Sequence, residues 1–385
     1  MKNPINGYCD SAFQQVKNVF ESNFTDGGEL GAACCVYVDG RKVVDLWGGY
    51  TNKNKTCIWE KDTLVGFYSA GKPLAALCAL QLVDSGQLEL DAPVCKWWPE
   101  FAAAGKSLIT VRQLLCHQAC IPAIRERLPD NAMLDWALMT KVLAEEAPWY
   151  EPGSRHTYHT NTYGFLAGEL VRRISGLDFG LYFRKKIAEH LNVDVIFGLK
   201  EAELPRVAEL VWRPSGEAPD YQYLDESMTT EQRIIINSYF NPPGFSSLGL
   251  MNTKKWRMAV IPSTNGHGTA RGIAKIYHVL SHGGTYKKHR LLSKELLNEA
   301  ASVHSKGPCP VLETEVTFGL GFQLTRPDRP LGPNPKSFGH YGTGGSLGFA
   351  DPDARIGFGY VMNDIIPRWQ NPRNKALVDA VYKCI

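Results

Sequence analysis

Residues 67–83 read FYSAGKPLAALCALQLV, and this stretch predicts the buried helix around which the rest of the chain is organised. Residues 74–83 carry no charge and run into the turn signal DSG, as a buried helix does at its end. Ser69 and Lys72 stand three positions apart near the start, so both side chains point to one face. A lysine whose charged form is disfavoured by apolar surroundings can take the proton of a serine hydroxyl. The stretch therefore predicts Ser69 as a nucleophile that Lys72 can activate.

The same spacing also has a purely structural explanation. Ser69 would cap the helix and Lys72 would extend to solvent, as such residues commonly do. About one Ser-x-x-Lys pair is expected by chance in a chain of this length, so the pair alone is a weak signal. Its position favours catalysis, because free N–H groups and the positive end of the helix dipole stabilise negative charge that develops there.

Length and composition are those of an ordinary globular protein with room for two or three domains. The chain has 385 residues, of which 44% are hydrophobic and 21% charged, and its net charge of +3 without a Lys/Arg-rich stripe argues against nucleic-acid binding. The N-terminus shows no signal peptide, and no apolar run is long enough to span a membrane. Ten scattered cysteines without an export signal indicate reduced thiols. We therefore expect a cytoplasmic protein with no membrane span.

One short cluster resembles half of a metal site. Cys116, His117 and Cys120 lie close together, but no second group with zinc spacing follows them. His117 is better explained as a buried histidine that hydrogen-bonds backbone beneath the site. The sequence therefore predicts neither a metal nor an organic cofactor.

Strand patterns lie near both ends of the chain and helical patterns lie between them. Residues 31–38 and 42–47 predict a hairpin across the turn signal Asp39-Gly40, and residues 346–351 and 356–362 predict a second one. This order predicts an α+β fold in which the two termini build one antiparallel sheet. We expect a sheet domain from residues 1–67 and 270–385, a helical domain at 68–269, and a loop-rich wall of the site at 200–260. Other predicted helices cover residues 9–24, 161–174, 178–191, 270–282, 293–301 and 373–382, and a further strand covers 317–324.

A Ser–Lys nucleophile needs a further group that carries a proton to the leaving group. Tyr158 is a candidate, because it follows a loop and precedes a helix, where a side chain can enter a cleft.

Together with Tyr158, several motifs occur in a fixed order along the chain. The chain resembles the serine β-lactamase-like hydrolases, with the class C β-lactamase and penicillin-binding protein fold, and most of all family VIII carboxylesterases. The similarity runs from about residue 30 to 365. Its motifs are Ser69-x-x-Lys72, Leu114-Leu115-x-His117, Tyr158-His159-x-x-Thr162-x-Gly164, Asn265-Gly266-His267-x-x-Ala270-Arg271 and Phe338-Gly339-His340-x-Gly342-x-Gly344-Gly345-Ser346.

The resemblance implies a β-lactamase/transpeptidase-like fold with the site between sheet and helices, and it assigns roles to residues. Ser69 would be the nucleophile, and Lys72 and Tyr158 would handle the proton, with the identity of the acylation base left open. The backbone N–H groups of Ser69 and Thr343 would form the oxyanion hole. The substrate would contact Asn161 and the segment His340-Tyr341-Gly342, which replaces the Lys-Thr-Gly strand of penicillin-binding relatives.

Three positions depart from the family pattern. His340 stands where β-lactam-recognising relatives have a lysine, which removes a fixed cation for a carboxylate and favours neutral esters. Cys120 stands where a glycine is usual, which puts the geometry of that turn in question. The tyrosine motif reads Tyr-His-Thr-Asn, so either Tyr158 or Asn161 could lie nearest the nucleophile.

Simpler explanations exist for several of these residues. Tyr158 could be a packing tyrosine and His340 a structural histidine. Residues 344–348 match the G-x-S-x-G pattern of another hydrolase fold, but Ser346 opens a predicted strand and no histidine follows His340, so we treat that match as a decoy.

The sequence thus predicts an enzyme that acts on a small ester or other acyl substrate, and it does not fix the oligomeric state. Our first hypothesis is a serine esterase that forms an acyl-enzyme on Ser69. The same site could serve an acyltransferase if another acceptor outcompetes water. A β-lactamase or D-amino-acid peptidase is a further alternative, and a catalytically silent binding protein on this scaffold is the alternative from outside the enzymes.

Overall fold

The computed structural model describes residues 4–212, 227–242, 249–366 and 368–385, and it is built on one nine-stranded antiparallel sheet. The strand order across the sheet is β1-β3-β2-β9-β8-β7-β6-β5-β4. Residues from both ends of the chain meet at its centre, where β9 pairs with β2. The strands are β1 (Ile5–Cys9), β2 (Gly31–Val38), β3 (Arg41–Gly49), β4 (Ser305–Cys309), β5 (Thr314–Phe318), β6 (Gln323–Leu324), β7 (Phe338–Tyr341), β8 (Leu347–Asp351) and β9 (Ile356–Met362).

Both predicted hairpins are present. The turn between β2 and β3 places Asp39 at φ +45° and Gly40 at φ +83°, which are the left-handed values that a tight hairpin turn requires and that Asp-Gly tolerates. The second hairpin joins β8 to β9, with Phe349 opposite Phe358. These hairpins bring sequence-distant strands into one sheet, as the α+β prediction requires.

Helices cover both faces of the sheet and fill the middle of the chain. The helices are α1 (Gln14–Thr25), α2 (Lys72–Asp84), α3 (Val111–Leu115), α4 (Trp136–Glu145), α5 (Thr162–Ser175), α6 (Phe179–Phe183), α7 (Glu189–Leu191), α8 (Thr230–Phe240), α9 (Lys254–Met258), α10 (Ala270–Ser281), α11 (Lys294–Ala300) and α12 (Pro372–Tyr382). In the described part of the chain, no helix is both long enough and apolar enough to cross a bilayer.

The terminal helices α1 and α12 pack together on one face of the sheet, with Phe20 and Leu377 in a shared apolar core. Helix α10 lies on the other face, against β9 and β2. Close approach there depends on glycine, since a methyl group on Gly359 would lie 2.3 Å from the Ala270 carbonyl oxygen. The sheet is therefore buried on both sides at its centre, which explains why β9 is apolar along its whole length.

Helix α2 lies inside the protein and packs against α5. Residues 74–80 are all at most 1% exposed, and seven consecutive residues point in every direction around a helix, so this helix is buried and apolar all round. A capping box at Thr110 begins α3, as the spacing of Thr110 and Gln113 favours, and Gly176 ends α5 with φ +71°. These local signals place the helices that carry the site.

The structure differs from the sequence expectation in four segments. Residues 317–324 form parts of two strands, because Gly319 and Gly321 turn the chain between β5 and β6 and Gly321 has φ +82°. Strands β1 and β4 were not predicted, since neither alternates apolar and polar residues. The unassigned segment 200–260 contains α8 and α9, while residues 213–226 and 243–248 lie outside the described residues. The division into a sheet domain and a helical domain stays a prediction.

Candidate active site

Ser69 lies in a short 3-10 turn, Tyr68–Gly71, that leads directly into α2. The residue before it, Tyr68, has φ +48°, an uncommon conformation for a tyrosine that costs on the order of 1–3 kcal/mol and is typical of functional sites. Ser69 is 6% exposed, so its hydroxyl borders a nearly closed space. As the second residue of the turn, Ser69 has no acceptor within the turn for its backbone N–H. The turn therefore presents both a hydroxyl and a free N–H at the start of a helix.

The Lys72 side chain reaches back to Ser69. Its Nζ lies 3.0 Å from Ser69 Oγ and 3.2 Å from the backbone carbonyl oxygen of Ser263. The side chain is fully buried, and no carboxylate contributes to its electrostatic surroundings. Burial alone lowers the pKa of Lys72 well below its usual value. A neutral amine in this position donates to the Ser263 carbonyl and keeps its lone pair for the Ser69 hydroxyl.

Tyr158 joins this pair. Lys72 Nζ lies 4.8 Å from the centre of the Tyr158 ring. Burial raises the pKa of Tyr158 well above 10, while the nearby Ser69 side chain acts in the opposite direction. Both shifts favour the uncharged forms, an amine and a phenol, over an ammonium–phenolate pair.

His340 contacts the same tyrosine from strand β7. Its Nε2 lies 3.4 Å from the Tyr158 hydroxyl, and its Nδ1 contacts the backbone carbonyl of Tyr341. A carbonyl only accepts, so this contact assigns the proton to Nδ1 and leaves Nε2 as an acceptor facing Tyr158. The pKa of His340 is lowered to about 3, first by burial and then by Lys72. His340 is thus a neutral hydrogen-bond partner of Tyr158 and provides no fixed cation.

The end of β7 passes against the Ser69 turn. A methyl group on Gly342 would lie 2.3 Å from the Phe67 carbonyl oxygen, so only glycine allows this approach. Ser346, the serine of the G-x-S-x-G match, is fully buried and donates to the same Phe67 carbonyl at 2.7 Å. Thr343 follows Gly342 in a turn closed by the bond from Gly345 N–H to the Gly342 carbonyl, and that bond does not use the Thr343 N–H. Ser346 therefore ties β8 to the Ser69 turn.

Two other predicted substrate ligands have side chains engaged elsewhere. The Asn161 amide donates to the Ser238 carbonyl and accepts from Thr264, both at 2.8 Å. The Tyr341 side chain lies on the α12 face of the sheet, where its hydroxyl donates to the Pro330 carbonyl at 2.9 Å. Of the two residues of the tyrosine motif, Tyr158 is the one whose pKa the Ser69 side chain affects. A substrate role for Asn161 and for the backbone at Tyr341 stays a prediction.

A layer of buried histidines supports Tyr158 from behind. His159 Nε2 accepts the Ile121 N–H at 3.1 Å, so its Nδ1 carries the proton and donates to His117 Nδ1 at 3.3 Å. His156 Nδ1 lies 2.8 Å from the Ser305 hydroxyl, which itself donates to the Cys116 carbonyl. The ring of His117 packs 5.0 Å from that of Tyr158. Burial lowers the pKa of His156 and His159 to about 3 and that of His117 well below 6.5.

This layer accounts for the cluster that resembled a metal site. Cys116 Sγ lies 3.3 Å from the Gln118 side-chain oxygen, and Cys120 adopts φ +59°, a left-handed conformation that glycine takes up most readily. Among the residues described, no group of three or more His, Cys, Asp or Glu side chains has the geometry of a metal site.

Two contributors to the site could not be recognised in the sequence. Ser263 acts through its backbone carbonyl, which every residue type has, so no residue pattern marks it. Trp369 lies 5.2 Å by ring centres from both Tyr158 and His340, and it precedes α12, far from any motif. The one sequence signal that could have pointed to Trp369 is an aromatic residue just before the C-terminal helix.

An antiparallel sheet flanked by helices, with a serine, a lysine and a tyrosine gathered at the start of a buried helix, defines a serine hydrolase of the β-lactamase-like type. The profile of the Beta-lactamase family matches residues 16–382, and the chain belongs to this family. The predicted family and fold class are thereby confirmed.

The relatives that align with most of this chain include esterases. The chain is 31% identical to "Esterase/beta-lactamase LipL" of Mycobacterium tuberculosis over 369 residues, which is 94% of this chain and 83% of that protein. It is 36% identical to the crystal structure of a family VIII carboxylesterase, with a TM-score of 0.91 and coverage of 99% and 100%. A penicillin-binding protein homologue from Caulobacter crescentus is also 36% identical, with a TM-score of 0.89 and the same coverage. EstA from Arthrobacter nitroguajacolicus is 30% identical, with a TM-score of 0.86 and coverage of 100% and 98%.

Proposed function

We propose that this protein is a serine carboxylesterase that cleaves small to medium acyl esters through an acyl-enzyme on Ser69. The observation that carries the proposal is the fully buried Lys72 amine, 3.0 Å from the Ser69 hydroxyl and without an acidic partner. A lysine that is neutral near pH 7 is a competent general base, whereas one in water is not.

Acylation begins with the Ser69 hydroxyl. Lys72 Nζ takes its proton as Oγ attacks the ester carbonyl, and the carbonyl oxygen becomes an oxyanion. The N–H groups of Ser69 and Thr343 stabilise that oxyanion, and each donor of this kind is typically worth about 3–4 kcal/mol in the transition state. Gly342 is essential to this arrangement because it brings β7 against the Ser69 turn.

Tyr158 completes the step. Its hydroxyl lies near Ser69, where the leaving alcohol departs, and supplies the proton that the alkoxide needs. The proton held by the Lys72 ammonium then restores the phenol and returns the amine to its neutral form. In the resting site the Tyr158 proton can point to His340 Nε2, 3.4 Å away, and it turns to the alkoxide as the alcohol departs. A water molecule, activated by the same groups, deacylates Ser69.

The second candidate function is β-lactam hydrolysis, because the 31% identical relative is named as an esterase and a β-lactamase. His340 is neutral and fully buried where β-lactam-recognising relatives have a lysine, and this favours the ester. Transfer to an alcohol or amine acceptor uses the same acyl-enzyme and is a third outcome.

Turnover of p-nitrophenyl butyrate and nitrocefin by wild type and Ser69→Ala tests the proposal. We expect Ser69-dependent hydrolysis of the ester at a kcat/KM at least a hundredfold above that for nitrocefin. Comparable values would favour the β-lactamase, and ester loss that accelerates with added alcohol would favour the acyltransferase. If the folded protein turns over no acyl donor, the remaining hypothesis is the catalytically silent binding protein.

We also propose a cytoplasmic location. All ten cysteines are free thiols, including the adjacent buried pair Cys34 and Cys35, which is the state that a reducing compartment maintains. Fractionation of cells that express a tagged chain tests this point, and recovery outside the cytoplasm would contradict it.

A further inference from the structure

A cleft of about 440 Å³ lies beside the catalytic groups. Thr343, whose N–H belongs to the proposed oxyanion hole, and Trp369, whose ring packs on Tyr158 and His340, both line it. The cleft therefore adjoins the catalytic groups, and one end of a substrate whose carbonyl lies at Ser69 can extend into it.

Two arginines line the same cleft. Arg329 is half-buried, and its guanidinium lies 5.6 Å from the Trp369 ring centre. Arg368 is exposed at the mouth. Neither arginine has a carboxylate within salt-bridge distance in the ranges that the structure describes. The charge of Arg329 is partly desolvated without a close counter-ion, and burial is the first cause that lowers its pKa.

The carboxylate that also lines the cleft is already neutralised. Asp328 forms a two-pronged pair with Arg326, at 2.6 and 2.9 Å. With this pair counted as neutral, Arg329 and Arg368 leave the cleft with two positive charges. Guanidinium groups hold carboxylates in a planar, two-bond geometry, and they do so most strongly where water is partly excluded.

We propose that Arg329 and Arg368 bind a carboxylate on the substrate, so that the preferred substrates are esters with a negatively charged group in the part that enters this cleft. This inference rests on the proposed esterase function. It also revises the expectation of neutral esters, which rested on the missing lysine at His340 and did not consider the two arginines that line this cleft.

Two matched ester pairs test the proposal, one for each side of the ester bond. Mono-p-nitrophenyl adipate and its methyl ester place or remove a carboxylate on the acyl side. Butyrate esters of 4-hydroxybenzoate and of methyl 4-hydroxybenzoate do so on the alcohol side, with rates corrected for the hydroxide-catalysed reaction. We expect the anionic member of at least one pair to have a kcat/KM at least tenfold higher in wild type, mostly through KM.

The readout in each variant is the ratio of kcat/KM for the anionic ester to that for its neutral partner. Arg329→Gln and Arg368→Gln should each lower this ratio tenfold or more, and Arg329→Lys should restore part of it. The control is Arg355→Gln, an exposed arginine paired with Asp39 on a distant hairpin, which should leave the ratio unchanged. Ratios near one in wild type, or ratios that neither glutamine variant lowers, would overturn the inference while Ser69-dependent hydrolysis of the neutral esters still stands. Absence of all ester turnover would instead overturn the proposed function itself.

Discussion

Lys72 Nζ lies 3.0 Å from Ser69 Oγ at the start of a helix that is buried on every side. The distance alone would fit an ordinary hydrogen bond, but the surroundings decide the chemistry. The lysine is fully buried, its second contact is a neutral carbonyl at 3.2 Å, and no carboxylate stabilises its ammonium form. These surroundings support the proposed roles of Lys72 as the base and Ser69 as the nucleophile.

Replacing Lys72 should remove the base. We expect Lys72→Met to lower kcat/KM for p-nitrophenyl butyrate by about 10³-fold, within the range that a general base contributes. Lys72→Arg should be as inactive, because a guanidinium stays protonated. Lys275→Met is the matched control, since Lys275 is also partly buried and donates to a backbone carbonyl, Leu191, far from the site. Activity within tenfold of wild type in either Lys72 variant would contradict the role of the lysine.

Replacing the tyrosine should affect the leaving-group step. Tyr158→Phe keeps the ring contacts with Lys72 and Trp369 but removes the hydroxyl, so kcat should fall about 10²-fold and the fall should be larger for esters with less acidic alcohols. Tyr150→Phe, which removes a hydroxyl bonded to Glu231 at the surface, is the control. An equal fall for activated and unactivated esters would rule out proton donation to the leaving group.

Acid should destabilise the fold in a defined pH window. His156, His159 and His340 are neutral in the fold with pKa values near 3, against about 6.5 when unfolded. The unfolded chain therefore binds more protons below pH 6.5, so stability is complete above that pH and is lost as the pH falls towards 3. Each histidine contributes about 1.4 kcal/mol per pH unit within the window.

Urea unfolding between pH 8 and pH 5 measures this loss. His156→Gln should reduce the slope below pH 6 by about 1.4 kcal/mol per unit. Glu29 acts in the opposite direction, because burial raises its pKa to about 7 and its protonation favours the fold, but it is one group against several. Stability that does not change between pH 7 and pH 5 would contradict the neutral histidine layer.

A buried ion cluster holds α12 to the sheet. Arg373 is 2% exposed and pairs with Glu29 at 3.0 Å and with Asp364 at 2.7 Å. Arg373→Met should lower the free energy of unfolding by about 3–5 kcal/mol, because it leaves two buried carboxylates without their cation. The control is Arg355→Met, whose pair with Asp39 is exposed to solvent and should change the free energy of unfolding little. Chemical denaturation checks both, and equal losses would contradict the argument.

Local patterns predicted much of this molecule. The uncharged run of α2, the Asp-Gly turn, the capping box at Thr110 and the glycine after α5 each act within a few residues, so their structures follow from the sequence nearby. Strands β1 and β4 were missed because Asn6, Gly7 and Pro308 give no strand pattern, and pairing with neighbouring strands decides their conformation.

The candidate site likewise contains some residues that the local sequence predicts and others that only the tertiary fold brings together. Ser69 and Lys72 were predicted because one helical turn sets their distance, whereas the position of Tyr158 rested on a resemblance to known enzymes. The carbonyl of Ser263 and the ring of Trp369 reach the site only through the tertiary fold. The two cleft arginines come from different loops, so no sequence window shows them together.

The identity of the nucleophile is the central claim, and labelling with a fluorophosphonate followed by peptide mass mapping tests it most directly. Ser346 is the competing serine, and its hydroxyl already donates to the Phe67 carbonyl. We predict a single adduct on the peptide that contains Ser69, no adduct in Ser69→Ala, and full labelling in Ser346→Ala. An adduct on Ser346, or undiminished labelling of Ser69→Ala, would contradict the account.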